Sequence, residues 1–249
     1  MSLHRKVWWM TALMLTLTGV NYLSTPKVIE ARVAKEDQPS FGKVFSTFFT
    51  KKNIGLSVGF VLLYRLGESQ LVKMASPFFL DSREAGGLGL STTEVGFIYG
   101  TLGVIALLAG GILGGILISR DGLGKWMMPM AFAINAPNVG YIFLAWLQPE
   151  SIAFATTVVV IEQLGYGFGF AAFMVFLIFL AEGIFKTAHY ALATGFMAMG
   201  MMLPGMLSGY MQQWLGYPGF FVWVVIATIP GFVMAYAVKY PREFGKKAN

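Results

Sequence analysis

The chain has no cysteine, only two histidines, and few charges: 12% of its 249 residues are Asp, Glu, Lys or Arg. Without cysteine there is no disulfide, no thiolate metal site and no cysteine nucleophile. Two histidines are too few for a metal centre, and neither H-E-x-x-H nor G-x-S-x-G occurs. Nothing in the sequence therefore implies an enzyme, a metal or another cofactor. Soluble domains carry about 25% charged residues, roughly twice the fraction found here. What fills the chain instead is apolar: 56% of the residues are hydrophobic, 30 are glycine and 15 methionine. Apolar stretches long enough to cross a hydrocarbon core of about 30 Å recur along it. The fold class implied is an all-α, multi-pass membrane protein, with the lipid bilayer as its first partner.

The net charge of +6 does not indicate nucleic acid, because the basic residues sit in connecting segments and tails, where they encode topology. Residues 1–23 contain a short apolar run, Val7 to Leu23, after the basic start MSLHRK. It reads as an extra N-terminal helix, with a signal peptide as the alternative. Residues 24–52 form a polar, basic loop containing Pro26 and Pro39, and Phe41 to Phe49 is suited to lie amphipathically at the interface. Six apolar segments follow within residues 53–240: Ile54–Leu80, Thr93–Ser119, Trp126–Leu147, Ile152–Ala181, Ala188–Trp214 and Tyr217–Val238. The spacers DSREAGGLGLS, RDGLGK, QPES, EGIFKT and LGYPG are short and rich in turn formers, so successive helices are antiparallel neighbours. Pro204–Gly205 and Pro230–Gly231 mark points where helices can kink.

Orientation follows from Lys and Arg. Lys27, Arg32, Lys35, Lys43, Lys51 and Lys52 share one side with Arg120, Lys125, Lys186, Lys239, Arg242, Lys246 and Lys247. The opposite side has only Arg83, and Lys73 near a helix end. The 24–52 loop and a 241–249 tail are thus expected to be cytoplasmic. This orientation places MSLHRK outside, against the rule, so either the true start lies upstream or residues 7–23 do not span.

Ionisable groups at membrane depth cost about 2.5–3.5 kcal/mol each and require a partner. Arg65 falls roughly 18 Å into its helix at 1.5 Å per residue. Glu68 follows on the same face, with Ser69, Lys73 and Ser76 extending it. Glu162 and Gln163 fall at similar depth on the fourth helix. Two readings stand for Arg65 and Glu68: a pair that neutralises itself, or part of a hydrated site for substrate and proton coupling. Glu162 is either a proton carrier or a protonated structural group. Gly110 with Gly114, Gly111 with Gly115, Gly96 with Gly100, and the run Gly165, Gly167, Gly169 read as close helix packing, or as flexible points. His189 reads as structural.

The loop GGILISRDGLGKW resembles the major facilitator motif G-x-L-x-D-R-x-G-R-K: Gly115, Leu117, Arg120 and Gly122 match, and Ser119 stands at the acidic position. More specifically, YRLGESQLVKMASPFFL, GTLGVIALLAGGILGGILISR, NAPNVGYIFLA, IEQLGYGFGFAAFMVFL and AHYALATGFMAMG, in that order, resemble the C-terminal half of AmpG-type muropeptide permeases. Arg65 and Glu68 match the family's basic-x-x-acidic pair; Glu162, Gln163, Leu164, Gly167 and Gly169 match its acidic-polar-L-x-x-G-x-G pattern. The resemblance implies a six-helix half of a major facilitator fold, built of two inverted three-helix repeats, with residues 1–23 as the remnant of a sixth helix. It implies proton-coupled import of anhydromuropeptides in a bacterial inner membrane, with an acetyl-CoA-like or other solute, or a non-transporting scaffold, as alternatives. Full transporters of this kind have twelve helices, so a separate N-terminal half or a second copy of the chain is the implied partner.

Overall fold

The computed structural model describes residues 3–24 and 40–247. The proline-containing part of the basic loop, with Lys27, Arg32 and Lys35, lies outside the described residues, as do the last two residues of the tail. Contacts divide the chain into two units, Met1–Ser40 and Phe41–Asn249. In the first, α1 (Leu3–Ser24) is a single helix of 22 residues. At 1.5 Å per residue it is roughly 33 Å long. The hydroxyls of Thr11, Thr16 and Thr18 donate to carbonyl oxygens one turn back, so they cost the helix no unsatisfied donor.

The second unit has helices and no strands among its described residues. It begins with α2 (Phe41–Phe49). Phe48 is buried against His189 and Phe196, while Phe41 stays exposed. His189 Nε2 lies 3.2 Å from both the Thr47 hydroxyl and the Val44 carbonyl, which fastens α2 in place. Then come α3 (Ile54–Leu63), α4 (Leu66–Leu80), α5 (Thr92–Phe97) running through a π-helical turn at Ile98–Gly103 into α6 (Val104–Asp121), and α7 (Leu123–Asn135). A 3-10 turn at Ala136–Asn138 leads to α8 (Val139–Leu147), followed by α9 (Ile152–Ala181), α10 (Lys186–Ile226) and α11 (Ile229–Ala237).

Among the described residues, four continuous stretches are long and apolar enough to cross a membrane: Thr92–Asp121, Leu123–Leu147, Ile152–Ala181 and Lys186–Ala237. The last, of 52 residues, is not one rod. Gly216 has φ 66° and ψ 171°, outside helical space, so α10 turns where the sequence placed LGYPG. Gly216 needs the freedom that only glycine has at positive φ. Pro204 is carried inside α10 with no non-helical residue around it, whereas Pro230 sits in the first turn of α11, just after the break at Ala227–Thr228.

The expected helix Ile54–Leu80 is not continuous. It breaks at Arg65, whose φ of −112° and ψ of 23° leave the helical well. Gly231 of α11 packs against this point: a methyl there would lie 2.9 Å from the Tyr64 carbonyl oxygen and 3.0 Å from that of Leu63. The break leaves α3 and α4 each too short to count as a span by length alone.

The glycine run on α9 shows why this helix is central. A methyl on Gly165 would lie 2.1 Å from the Ala133 carbonyl of α7, and one on Gly169 2.6 Å from that of Met130. A methyl on Gly167 would lie 2.1 Å from the Leu107 carbonyl of α6. Residues four apart share a helix face and residues two apart lie on nearly opposite ones, so α9 is clasped between α7 and α6. On α6, a methyl on Gly110 would lie 2.1 Å from Leu164 O, and one on Gly114 3.0 Å from Phe168 O. Gly111 meets only the Gly167 oxygen, at 3.8 Å, and Gly115, Gly96 and Gly100 have nothing within 4 Å. The packing seam thus runs through Gly110 and Gly114. Gly115, one residue along and about 100° round the helix, belongs to the outer face, and its expected packing role within the chain is corrected.

Lys51 anchors one end of the bundle, donating to the carbonyls of Leu180 and Glu182 at the C-terminus of α9. Burial pushes its ammonium below the usual lysine value, partly offset by the charge of Glu182. The tail is docked at the same end. Leu123 N–H donates to Phe244 O, Gly124 N–H to Arg242 O, and Lys247 N–H to Ser119 O. At the opposite end, Arg83 donates to the carbonyls of Gln148 and Pro149.

Candidate functional site

The break before α4 positions the first ionisable group. Arg65 caps α4 and is 6% exposed; Glu68, three residues on, is 2% exposed. No ion pair joins them, because leaving helical geometry at Arg65 turns its side chain toward α9. There the guanidinium donates to the Tyr166 hydroxyl and lies 4.9 Å from the centroid of the Tyr166 ring and 4.8 Å from that of Phe170. A guanidinium is suited to this double role, since it stacks on aromatic faces while its N–H groups bond in plane. Its Nε and the Glu68 Oε2 are buried without a protein partner.

Glu162 lies one turn before Tyr166 on α9 and is 2% exposed. Gln163 donates to both of its carboxyl oxygens, at 3.2 and 3.0 Å, and Tyr141 of α8 donates to Oε2 at 3.4 Å. Tyr141 shares a 2.7 Å hydrogen bond with Tyr99 in the π-helical turn. Tyr99, Tyr141, Glu162 and Gln163 border a cavity of about 240 Å³, whose other wall is Leu71, Val72, Ala75 and Ser76 of α4.

Arg65, Glu68, Glu162 and Gln163 are thereby brought to one region between α4 and α9. Ser69 is buried with them, whereas Lys73 and Ser76 are exposed, so the polar face read along this helix does not continue as one buried stripe. Tyr99, Tyr141 and Tyr166 were missed in the sequence. They carry no charge, and only their three-dimensional convergence on Glu162 and Arg65 marks them. Among the described residues, no group of three or more His, Asp or Glu converges to hold a metal.

The loop residues lie elsewhere, at the α6–α7 turn. Arg120 pairs with Asp121 at 2.9 Å, and Lys125 and the Trp126 indole converge on the same carboxylate at 3.1 and 3.0 Å. Asp121, not the position of Ser119, gathers the charges of this motif. Gly122 has φ 86°, and a methyl on it would lie 2.7 Å from Arg242 O of the docked tail.

No protein-family model matches the chain. Among curated proteins it is similar to the anhydromuropeptide permease of Escherichia coli strain K12, 25% identical over 237 residues, which is 95% of this chain and 47% of that protein. It is 26% identical over 204 residues to a putative transporter AmpG 1 of Rickettsia prowazekii, covering 79% of this chain and 44% of the relative. A protein of the same name in Rickettsia conorii is 23% identical over 237 residues, 91% of this chain and 55% of the relative. The chain spans about half the length of the curated relatives it matches, and over nearly its whole length it resembles the AmpG-type permeases.

Proposed function

We propose that the chain is the C-terminal half of a secondary transporter that imports anhydromuropeptides with protons across a bacterial inner membrane. The observation that carries this reading is the burial of Arg65, Glu68 and Glu162 together between two helices of the bundle. Each charge at membrane depth costs about 2.5–3.5 kcal/mol, so groups of this kind are retained for binding or transfer. Similarity to proteins named as permeases points the same way. In this reading Arg65 receives a carboxylate of the solute, which its fork of donors fits, and Glu162 carries the proton, with Glu68 and Gln163 tuning it.

Alternating access in such folds comes from one half rocking against the other around a site between them. One half gives one wall of that site. The facing wall would come from a second half, whether joined to this chain, separate from it, or a second copy of it. The experiment is uptake of labelled anhydromuropeptide into vesicles that contain the chain alone or the chain with an N-terminal half. Uptake only with the partner, driven by a proton gradient and abolished by Arg65→Ala, supports the proposal. Proton-dependent accumulation by a demonstrated monomer overturns the half-transporter reading, and uptake of a different solute overturns the substrate.

A further inference from the structure

The break between α7 and α8 holds a second polar feature. Pro137 has no N–H to offer the Ala133 carbonyl, the partner it would have in a continuous helix, and Gly165 of α9 presses against that oxygen instead. Beside this break two carboxamides are buried: Asn135 is 4% exposed and Asn138 0%. Asn135 Nδ2 donates to Ala131 O at 2.8 Å. Its Oδ1, and both polar atoms of Asn138, meet no protein donor or acceptor. Native structures hold only a few such atoms per hundred residues, and each costs about 1–3 kcal/mol if nothing satisfies it. Three at one break call for a polar occupant.

Their placement says which occupant. Asn135, Asn138 and Tyr141 follow one another at three-residue spacing, so they line one side of the α7–α8 junction. Tyr141 is the residue that bonds Glu162 and Tyr99 beside the 240 Å³ cavity. That cavity has room for several waters at about 30 Å³ each. We propose that Asn135 and Asn138 bind internal water, which extends the Glu162–Tyr141 hydrogen-bond chain to the α7–α8 break. A carboxamide both donates and accepts, as water does, and full enclosure of Asn138 admits nothing larger. This water site stands whatever solute the chain handles.

The test is radiolytic hydroxyl labelling of the full chain in lipid nanodiscs, read residue by residue by mass spectrometry. Radicals formed from bound water modify the side chains beside it. Tyr141 is expected to be labelled several-fold more than Phe173 and Phe176, which are equally buried but in an apolar cluster. Asn138→Leu should lower labelling at Pro137 several-fold, and Asn138→Ser, which keeps a hydroxyl, should restore most of it. Labelling of wild-type Tyr141 no higher than Phe173 overturns the proposal, as does labelling at Pro137 that is unchanged in Asn138→Leu. None of these readouts depends on transport.

Discussion

The guanidinium of Arg65 rests on the ring of Tyr166, one helical turn from Glu162. With the Phe170 ring, this contact ties the break in the first helix of the bundle to α9, the helix that carries Glu162. The two variants Arg65→Lys and Tyr166→Phe separate its parts. Lysine keeps the charge but loses the planar fork and the stacking, so Arg65→Lys is expected to be as inactive in uptake as Arg65→Ala. Tyr166→Phe keeps the ring and loses a hydrogen bond to a charged group, at a cost of about 1.5–3 kcal/mol. It should melt lower in detergent and retain some uptake. Full activity of Arg65→Lys would rule out stacking as the reason for arginine.

Glu162→Gln preserves the volume and can still accept from Tyr141. It is expected to leave the fold unchanged and to remove the dependence of uptake on a proton gradient. Measuring solute accumulation with and without an imposed gradient checks this. A variant that still concentrates solute only when the gradient is present would exclude Glu162 as the proton carrier.

The glycine seam gives a stability contrast. Gly110→Ala and Gly167→Ala each drive a methyl to 2.1 Å from a carbonyl oxygen of the facing helix. Such overpacking costs typically 1–3 kcal/mol or more. Gly115→Ala, with nothing within 4 Å, is expected to be neutral or slightly stabilising in the isolated chain, since alanine is the better helix former. Thermal unfolding in a single detergent compares the three, and equal destabilisation by all of them would refute the assignment of the seam.

Removal of residues 242–249 takes away the acceptors of the Leu123 and Gly124 amides. Hydrogen exchange at those two amides is expected to speed up by an order of magnitude or so, about 1.4 kcal/mol of lost protection. Exchange within α9 should be unchanged. Unaltered protection at Leu123 and Gly124 would mean that the tail does not dock on the turn in the membrane.

Much of this was legible in the residues, for identifiable reasons. The apolar stretches at 93–119, 126–147 and 152–181 agree closely with helical segments, because length and hydropathy alone decide them. The turn at Gly216 was legible in LGYPG, since a glycine free to take positive φ preceded a proline. The break at Arg65 was not legible: Gly67 nearby gave no sign of it, and Gly231, which packs against it, is 166 residues away in sequence. Arg65, Glu68 and Glu162 stood out because charge is rare at membrane depth. Asn135, Asn138 and the three tyrosines did not, because a neutral polar group disturbs a hydropathy profile too little to be noticed. Gly115 was grouped with Gly111 by spacing, yet spacing alone cannot tell which face of α6 meets α9.

The two-sided clasp on α9 also bears on how the bundle can deform. Backbone touches backbone along both of its flanks, so α6, α7 and α9 have almost no side-chain cushion to slide on and should behave as one stiff slab. The breaks at Arg65, Gly216 and Thr228 all lie in the other helices. Bending is therefore expected at these joints and at the turns that flank the slab, Ile98–Gly103 and Ala136–Asn138, and Arg65 reaches from one such joint onto the slab.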